Sequence, residues 1–569
     1  CFFPAIFLMY FFLYFVNCAQ NGKRIIFVFL FANFLYSRAE YFNEIAESGQ
    51  RALALVTAGP GLTNIVTAVS GAWLESRELL IIGGQVKVND LASSGLRSRG
   101  IQEINGVEML SSTTKMSVQI IKPVSSTTFN NIVSKSWFPR KGPVFLEIPI
   151  DVQARTVEAE SIRPTPETPL AKIAESELSG LVACFNNASK PILLIGGGVS
   201  YATAEKLQNR FSAAGVPLMT TYNGADRVDG FGDHYLGRPN TWGQRSSNIL
   251  IQQSDLIIAV GTRLGLQQTG FNWEEFGRDA YIVQVDIDRN ELRKGHPHID
   301  LGLCVDADDF IARFMAADIK RHDAWLEYAR NVRSIVPRVE AINKTGAGYL
   351  SPYDFILTLE TLTRSDDVVI PCSSGSAFTL SMQLYKQRFG QRILTNKSLA
   401  SMGYGLSGAI GACLAAGNRR RTILIEGDGG FAQNMQEVGT AEINALNLKM
   451  FIFHDQGYAS IRMTQVNYFK GKYLGCDRRS GLGLPDWDKL FPAWNVPVVH
   501  VNQNFENDPL FLQHFNQPGL CAFVVHIDPE QTYFPKISSR ITATGSMESN
   551  PIDHMTPEID YLDGLKFDD

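Results

Sequence analysis

An α/β protein of three doubly wound parallel-sheet domains is the fold class this sequence predicts, on three observations. Short, continuously apolar runs end abruptly in glycine, as Leu79–Ile82 does before Gly83-Gly84. Helical patterns separate these runs, and continuous apolar strands alternating with helices argue for a parallel sheet covered on both faces. The pattern recurs in three blocks of similar size, which suits 569 residues at roughly 100–200 residues per domain.

Composition narrows the function classes. Hydrophobic residues are 45% and charged residues 19%, ordinary for a soluble globular chain. The formal net charge of −5 offers no basic excess, so a nucleic-acid partner is not expected. Eight cysteines are scattered without a CxxC or CxxH pair and read as free thiols of a reducing compartment, with no structural zinc. The expected location is the cytoplasm, with an organelle as the alternative.

Residues 1–36 stand apart. Cys1 to Val16 is almost wholly apolar, and Ile25 to Tyr36 nearly so. Each run falls short of the roughly 20 residues that a spanning helix needs. Neither the basic start nor the small-residue cleavage site of a signal peptide is clear. The preferred reading is that this Phe-rich stretch, which lacks an initiator Met, is not native coding sequence; a membrane anchor is the rival.

From residue 37 to 160 the texture is that of a first, incomplete domain. Arg51–Thr57 reads as a strand, Ala58–Gly61 as a turn, Leu62–Ser76 as a helix, and Leu79–Ile82 and Pro143–Ile148 as strands. Ser161–Pro169, rich in Pro and Glu, reads as a linker. The second domain, 170–345, carries strands at Ile192–Ile195, Leu256–Val260 and Tyr281–Asp288, then a charged helical stretch over Asp306–Asn343. The third, 350–530, carries strands at Val368–Ile370, Thr422–Ile425 and Lys449–Phe453. A tail of weak periodicity follows, 531–569.

The strongest chemical signal is Glu426-Gly427-Asp428-Gly429-Gly430-Phe431, directly after an apolar strand. Glycines let backbone N–H groups approach phosphate oxygens, and the following helix start favours anions. Asp428 falls at the carboxyl end of its strand, where open α/β sheets bind ligands. One carboxylate together with substrate phosphates is a usual way to hold Mg²⁺. On its own this is an ordinary strand-to-helix turn. A second strand then ends in His454-Asp455-Gln456-Gly457-Tyr458 and delivers a second oxygen beside the first.

With that spacing the chain resembles the thiamine diphosphate (ThDP) dependent enzymes, in particular the acetolactate synthase-like group. Their cofactor motif is GDG followed by a spacer and Asn-Asn. By position Asp455 replaces the metal-ligating Asn, a competent oxygen ligand that adds a negative charge beside a diphosphate. The resemblance implies Mg²⁺ ligands Asp428, Asp455 and the Gly457 carbonyl, with Gly427, Gly429, Gly430 and Tyr458 at the cofactor. Ser401-Met402-Gly403-Tyr404 resembles the family segment in which an apolar side chain, here Met402, props the bent cofactor; Gly403 adjoins it. Ser374-Gly375-Ser376 matches a turn facing the diphosphate, through Gly375 and Ser376. Gly59, Pro60 and Gly61 match the TSGPGxTN turn, and Gln102 the FQE segment, whose Gln faces substrate. Gln102 and Met402 are thus the implied catalytic residues, against plainer readings as a solvated loop residue and a core methionine.

Ser189-Lys190-Pro191 with Gly196-Gly197-Gly198, Gly261-Thr262-Arg263 and Val285–Asp288 match landmarks of the central domain. Some relatives hold FAD there. The full G-x-G-x-x-G fingerprint is absent here, so a tight turn at Gly196–Gly198 is preferred to FAD. Tyr458–Gln465 (YASIRMTQ) and Asn550–Pro557 resemble a subgroup, so the match runs over Ala39–Pro557. Three domains in the order pyrimidine-binding, central and diphosphate-binding are implied, in a homodimer or homotetramer acting on a 2-oxo acid.

One departure matters. The family places a Glu before the GPG turn to hydrogen-bond the pyrimidine and drive proton relay. The matching window, Leu30–Leu35, holds no carboxylate, and Glu40 and Glu44 fit that position poorly. The expectation is a truncated or misread first domain, and if that domain lacks a central strand an exposed sheet edge and poor stability follow; the alternative is a chain that binds the cofactor without activating it efficiently. Function is expected to be carboligation or decarboxylation of a 2-oxo acid, with a ThDP-dependent diketone hydrolase or lyase and a non-catalytic relic as alternatives.

Overall fold

The computed structural model of the chain describes residues 25–29, 51–156, 170–541, 543–559 and 567. The proposed linker at 161–169, the window 30–35, Glu40 and Glu44 lie outside the described residues. Among those described, most strands gather into three α/β sheets, as the repeating apolar runs predict, and two short antiparallel pairs lie in the tail, Lys536–Ile537 with Met555–Thr556 and Ser539–Ile541 with Met547–Ser549.

The first sheet has the order β1-β2-β3-β5-β4, from β1 (Ile25–Phe29), β2 (Arg51–Val56), β3 (Leu79–Gln85), β4 (Met116–Gln119) and β5 (Pro143–Pro149), all paired parallel. β1 aligns with β2 from Ile25 opposite Arg51 to Phe29 opposite Leu55, so the edge of β2 is covered by strand, a correction to the expected bare edge. Alternation along each strand splits the apolar residues between two faces. Ala54, Ile81 and Phe145 pack with Ala68, Val69 and Ala72; Leu53, Leu80 and Leu146 pack with Ile132 and Val133. The expected helix over 62–76 is two pieces, α1 (Pro60–Thr63) and α2 (Val66–Leu74), broken at Asn64-Ile65.

The second sheet has the order β10-β9-β8-β6-β7, from β6 (Pro191–Ile195), β7 (Leu218–Thr220), β8 (Leu256–Val260), β9 (Tyr281–Val285) and β10 (Leu301–Leu303). Its faces are covered by two clusters: Leu193, Ile258 and Val283 meet Phe211, Phe310 and Phe314, while Ile192, Ile257 and Ile282 meet Trp325 and Ala329. Helix α3 (Arg245–Gln252) precedes β8. The charged stretch over 306–343 resolves into α4 (Ala307–Ala316) and α5 (Asp323–Ile335).

The third sheet has the order β12-β11-β13-β14-β16-β15, from β11 (Val368–Ile370), β12 (Arg392–Ile393), β13 (Thr422–Gly427), β14 (Leu448–His454), β15 (Val498–Val501) and β16 (Cys521–His526). Helices α6 (Gly375–Leu384), α7 (Tyr404–Ala415) and α8 (Ala459–Phe469) lie between them in sequence. Phe451 of β14 stacks on Phe523 of β16 with ring centroids 4.7 Å apart, amid Phe355, Phe511 and Phe515. Among the described residues, no helix is long and apolar enough to cross a membrane.

The chain divides into two compact units: 1–169 with 396–424 and 430–449, and 170–395 with 425–429 and 450–569. Within the second unit, polar ties join the segment 226–238 to 382–393. Buried Asp226 pairs with Arg227 and meets Arg392 Nε at 2.8 Å. Arg238, buried, donates from Nε to Met382 O and from Nη1 to Gln387 Oε1, both at 2.8 Å, and from Nη2 to Tyr385 O.

Candidate functional site

Adjacent strands β13 and β14 carry the two acids that the sequence singles out. Asp428 follows directly on β13 and is fully buried. Its Oδ1 accepts the Gly429 N–H at 2.6 Å and its Oδ2 the Gln456 N–H at 2.9 Å. His454 Nδ1, at the end of β14, lies 3.0 Å from the same Oδ2 and 3.3 Å from Trp487 Nε1. Asp455, the next residue, is also buried. Burial, then the Asp428 carboxylate, raise the pKa of its carboxyl well above the usual carboxyl range, making it a weaker acid, and Arg462 opposes them.

Arg462 sits on α8 and is buried. Its Nη2 donates to the Asp455 carbonyl at 2.8 Å and lies 3.1 Å from Asp455 Oδ1, as an ion pair without the angle of a hydrogen bond. Arg462 Nε and Nη1 have no hydrogen-bond partner. A buried cation with donors to spare therefore sits beside Asp455, whose carboxyl is crowded by Asp428. Two carboxylates with a main-chain carbonyl form a hard oxygen set suited to a divalent cation.

Glycine is required at two turns of this region. Gly457 has φ +148°, and a Cβ there would meet Cys476 O at 2.1 Å, where the Tyr458 N–H also donates at 2.8 Å. A Cβ on Gly429 would meet the Tyr458 ring at 2.4 Å, so the ring lies directly over the glycine turn. Around Gly427 and Gly375, by contrast, the Cβ direction opens on free space. Gly375 and Ser376 start α6, whose N-cap Ser374 makes no side-chain capping bond, so its N-terminus keeps its affinity for an anion. Asp428, Asp455, Gly427, Gly429, Gly457, Tyr458, Gly375 and Ser376 all belong to the second unit.

The remaining predicted residues form two groups in the first unit. Gly59, Pro60 and Gly61 begin α1, and Gly59 O accepts from Leu62 and Thr63 N–H, each at 3.0 Å. The Gln102 backbone packs against this turn: a Cβ on Gly59 would lie 2.6 Å from Gln102 O. Gln102 itself is exposed and holds φ 59°, a conformation that L-residues keep only under constraint. Glu103 supplies the constraint, accepting the N–H groups of Ala92 at 2.6 Å, Arg99 at 2.7 Å and Gly100 at 2.8 Å. Partial burial works against its ionised form, but those three donors hold its carboxyl below the usual range.

In the second group Met402 is 43% exposed, against the core-packing reading. Gly403 precedes α7, and its carbonyl accepts Asn434 Nδ2 at 2.7 Å. Asn434 also reaches Ser407 Oγ at 3.3 Å, and Gly430 O accepts the Gln433 N–H at 3.2 Å. At the centre of the second sheet, Gly196 and Gly198 pack on Gly261, where a Cβ would come within 2.3 Å and 2.7 Å of its backbone, the close approach of a tight turn.

Arg462, Asn434, Glu103 and buried Glu147 escaped the sequence reading. One signal was present: an acid where an amide belongs calls for a cation, and Arg462 is the first cation after Asp455. Glu147 is held by Gln119 Nε2 at 2.7 Å and Gln85 Nε2 at 3.2 Å, and burial raises its carboxyl above the usual range.

Comparison with known proteins gives the family of the chain. Residues 39–109 match the model of the thiamine pyrophosphate enzyme N-terminal TPP binding domain, 178–314 that of the central domain, and 373–525 that of the C-terminal TPP binding domain. The chain is 27% identical over 497 residues to the acetolactate synthase isozyme 1 large subunit of Escherichia coli (strain K12), covering 86% of this chain and 85% of that one. It is 26% identical over 513 residues to the chloroplastic acetolactate synthase 2 of Nicotiana tabacum, covering 86% and 75%. Against the large subunit from Corynebacterium glutamicum it is 26% identical over 518 residues, covering 86% and 79%.

Proposed function

The chain belongs to the thiamine pyrophosphate enzymes, among the acetolactate synthase-like members, and from that premise we propose that it is a ThDP- and Mg²⁺-dependent carboligase acting on a 2-oxo acid. The observation that carries the proposal is the buried pair Asp428 and Asp455 on adjacent strand ends, with an oxygen set fit for a divalent cation. ThDP, when bound, supplies a carbon nucleophile for a 2-oxo carbonyl and an electron sink once CO₂ leaves. The chain's own residues do the rest. Asp428, Asp455 and the Gly457 carbonyl hold Mg²⁺. Gly427, Gly429 and Gly430, with the start of α6 at Gly375 and Ser376, offer N–H donors to the diphosphate. Tyr458 packs on that turn. Gly403 and Met402 support the cofactor rings, and Gln102, beside the Gly59-Pro60-Gly61 turn, is the substrate-contacting residue of this reading.

The assembly in this reading is a homodimer or homotetramer in the cytoplasm, with domains at 37–160, 170–345 and 350–530. FAD has no role in it. A second reading, a ThDP-binding protein without turnover, is favoured by one observation: an acid stands at 455, tied to Arg462.

Exchange of the ThDP C2 proton in D₂O with Mg²⁺ separates the two. Exchange well above the rate of free ThDP is expected for the enzyme. Exchange at the free rate, with ThDP bound, would sink the carboligase reading. Product analysis with pyruvate alone then distinguishes carboligation from cleavage of a diketone.

A further inference from the structure

A cavity of about 310 Å³ lies in the second unit, apart from the acid pair. Its wall is strongly cationic. Arg330 and Arg333 sit three residues apart on α5, hence on one face of the helix. Arg338 follows in the connecting chain, and Lys386 comes just after α6. Asp233 is the single acid in the lining.

Two other arginines of the wall are already committed. Arg238 donates to Met382, Tyr385 and Gln387, and Arg245 to Glu340 and the carbonyls of Met555 and Pro557. The remaining cations are poorly matched. Arg338 meets Glu360 at 3.1 Å. Arg333 donates to the Tyr235 carbonyl at 2.8 Å, but neither it, nor Arg330, nor Lys386 forms an ion pair with a described residue. Burial, and then the guanidinium groups of Arg338 and Arg333, push the Lys386 ammonium below its usual range; burial also lowers Arg333. Glu360 offsets part of this at Lys386 and Arg338, and Asp233 part of it at Arg333, so the cations still outnumber the acids around the cavity.

The start of α3 adds to the same field. Gln244 and Ser246 line the cavity; the N-cap Gln244 makes no side-chain capping bond, and the first turn carries no acid. The positive end of the helix dipole thus reinforces the side-chain cations. A cavity of this size stands at the small end of ligand pockets, roughly 300–1,000 Å³, and admits a metabolite rather than a macromolecule. Planar guanidinium forks and an ammonium are the donors that recognise phosphate.

We propose that this cavity is a second, non-catalytic binding site for a small phosphate-bearing anion, held by Lys386, Arg333 and Arg330 beside the start of α3.

The test is calorimetric titration of inorganic pyrophosphate into the full chain without Mg²⁺, repeated with Lys386→Gln and Arg333→Gln. Saturable binding of one anion, weakened about tenfold or more by each substitution and by added salt, is expected. No saturable binding up to millimolar pyrophosphate, or binding that these substitutions leave intact, overturns the proposal. Losing a crowded like charge should hold or raise the melting temperature of unliganded Lys386→Gln. If that variant is unstable, Arg330→Gln, on an exposed side chain, makes the same comparison and carries the same two outcomes.

Discussion

Asp455 concentrates the chemistry of the site at one residue. The family's Asn would be neutral, whereas the acid brings Arg462 into the interior as its counter-ion. Asp455→Asn removes the charge that repels a diphosphate and leaves Arg462 as an uncompensated buried cation. Breaking a buried pair in this way costs roughly 3 kcal/mol. The unliganded variant should therefore melt earlier than the parent, while ThDP with Mg²⁺ should raise its melting temperature by more. Thermal melts of both proteins with and without cofactor check this, and an unaltered cofactor shift would show that Arg462 and Asp455 act independently of the diphosphate. Position 455 was legible as an anomaly because the neighbouring motif defines what belongs there. Its partner was not, since an ion pair between a strand end and a helix exists only once the chain has folded.

At the scale of elements, runs such as Leu79–Ile82, Ile192–Ile195 and Leu256–Val260 were readable because a buried parallel strand needs an unbroken apolar string. Short edge strands such as Met116–Gln119 and Arg392-Ile393 lack that string and were missed. The break between α4 and α5 was also hidden, because no Gly or Pro marks residues 317–322. There the buried ring of His322 packs edge-on against Phe185 at 5.0 Å, so tertiary packing overrides local propensity. The end of β9 carries a consequence for pH. Burial, with Glu291 and Asp288 adding to it, pushes the Asp286 carboxyl up to about 6. Between the ordinary carboxyl range and that value, the unfolded chain is ionised while the folded one keeps its proton. Stability should accordingly fall as pH rises from about 4 to about 6, by on the order of 2 kcal/mol. In Asp286→Asn the Asn Oδ1 can still accept the Asp288 N–H, and urea melts across that range should lose this component; an unchanged pH profile would show that Asp286 ionises freely in the fold.

For the whole molecule, the three-block architecture was visible from repetition alone, but the division into compact units was not, because residues 396–424 and 430–449 group with the first block. The ties of Arg238 and Asp226 span the segments 226–238 and 382–393, each on a different sheet's side of the chain. Truncating Arg238 to Ala would orphan three buried acceptors. At roughly 1.5–3 kcal/mol per hydrogen bond to a charged group, several kcal/mol would be lost. Differential scanning calorimetry should show a single transition for the second and third sheets in the parent and a lower or split one in Arg238→Ala; an unaltered endotherm would refute the link. The same ties give the protein a form of damage tolerance. A protease that nicks the exposed chain near Lys344 would cut the covalent connection between two sheets, yet the pieces should still co-elute on a sizing column.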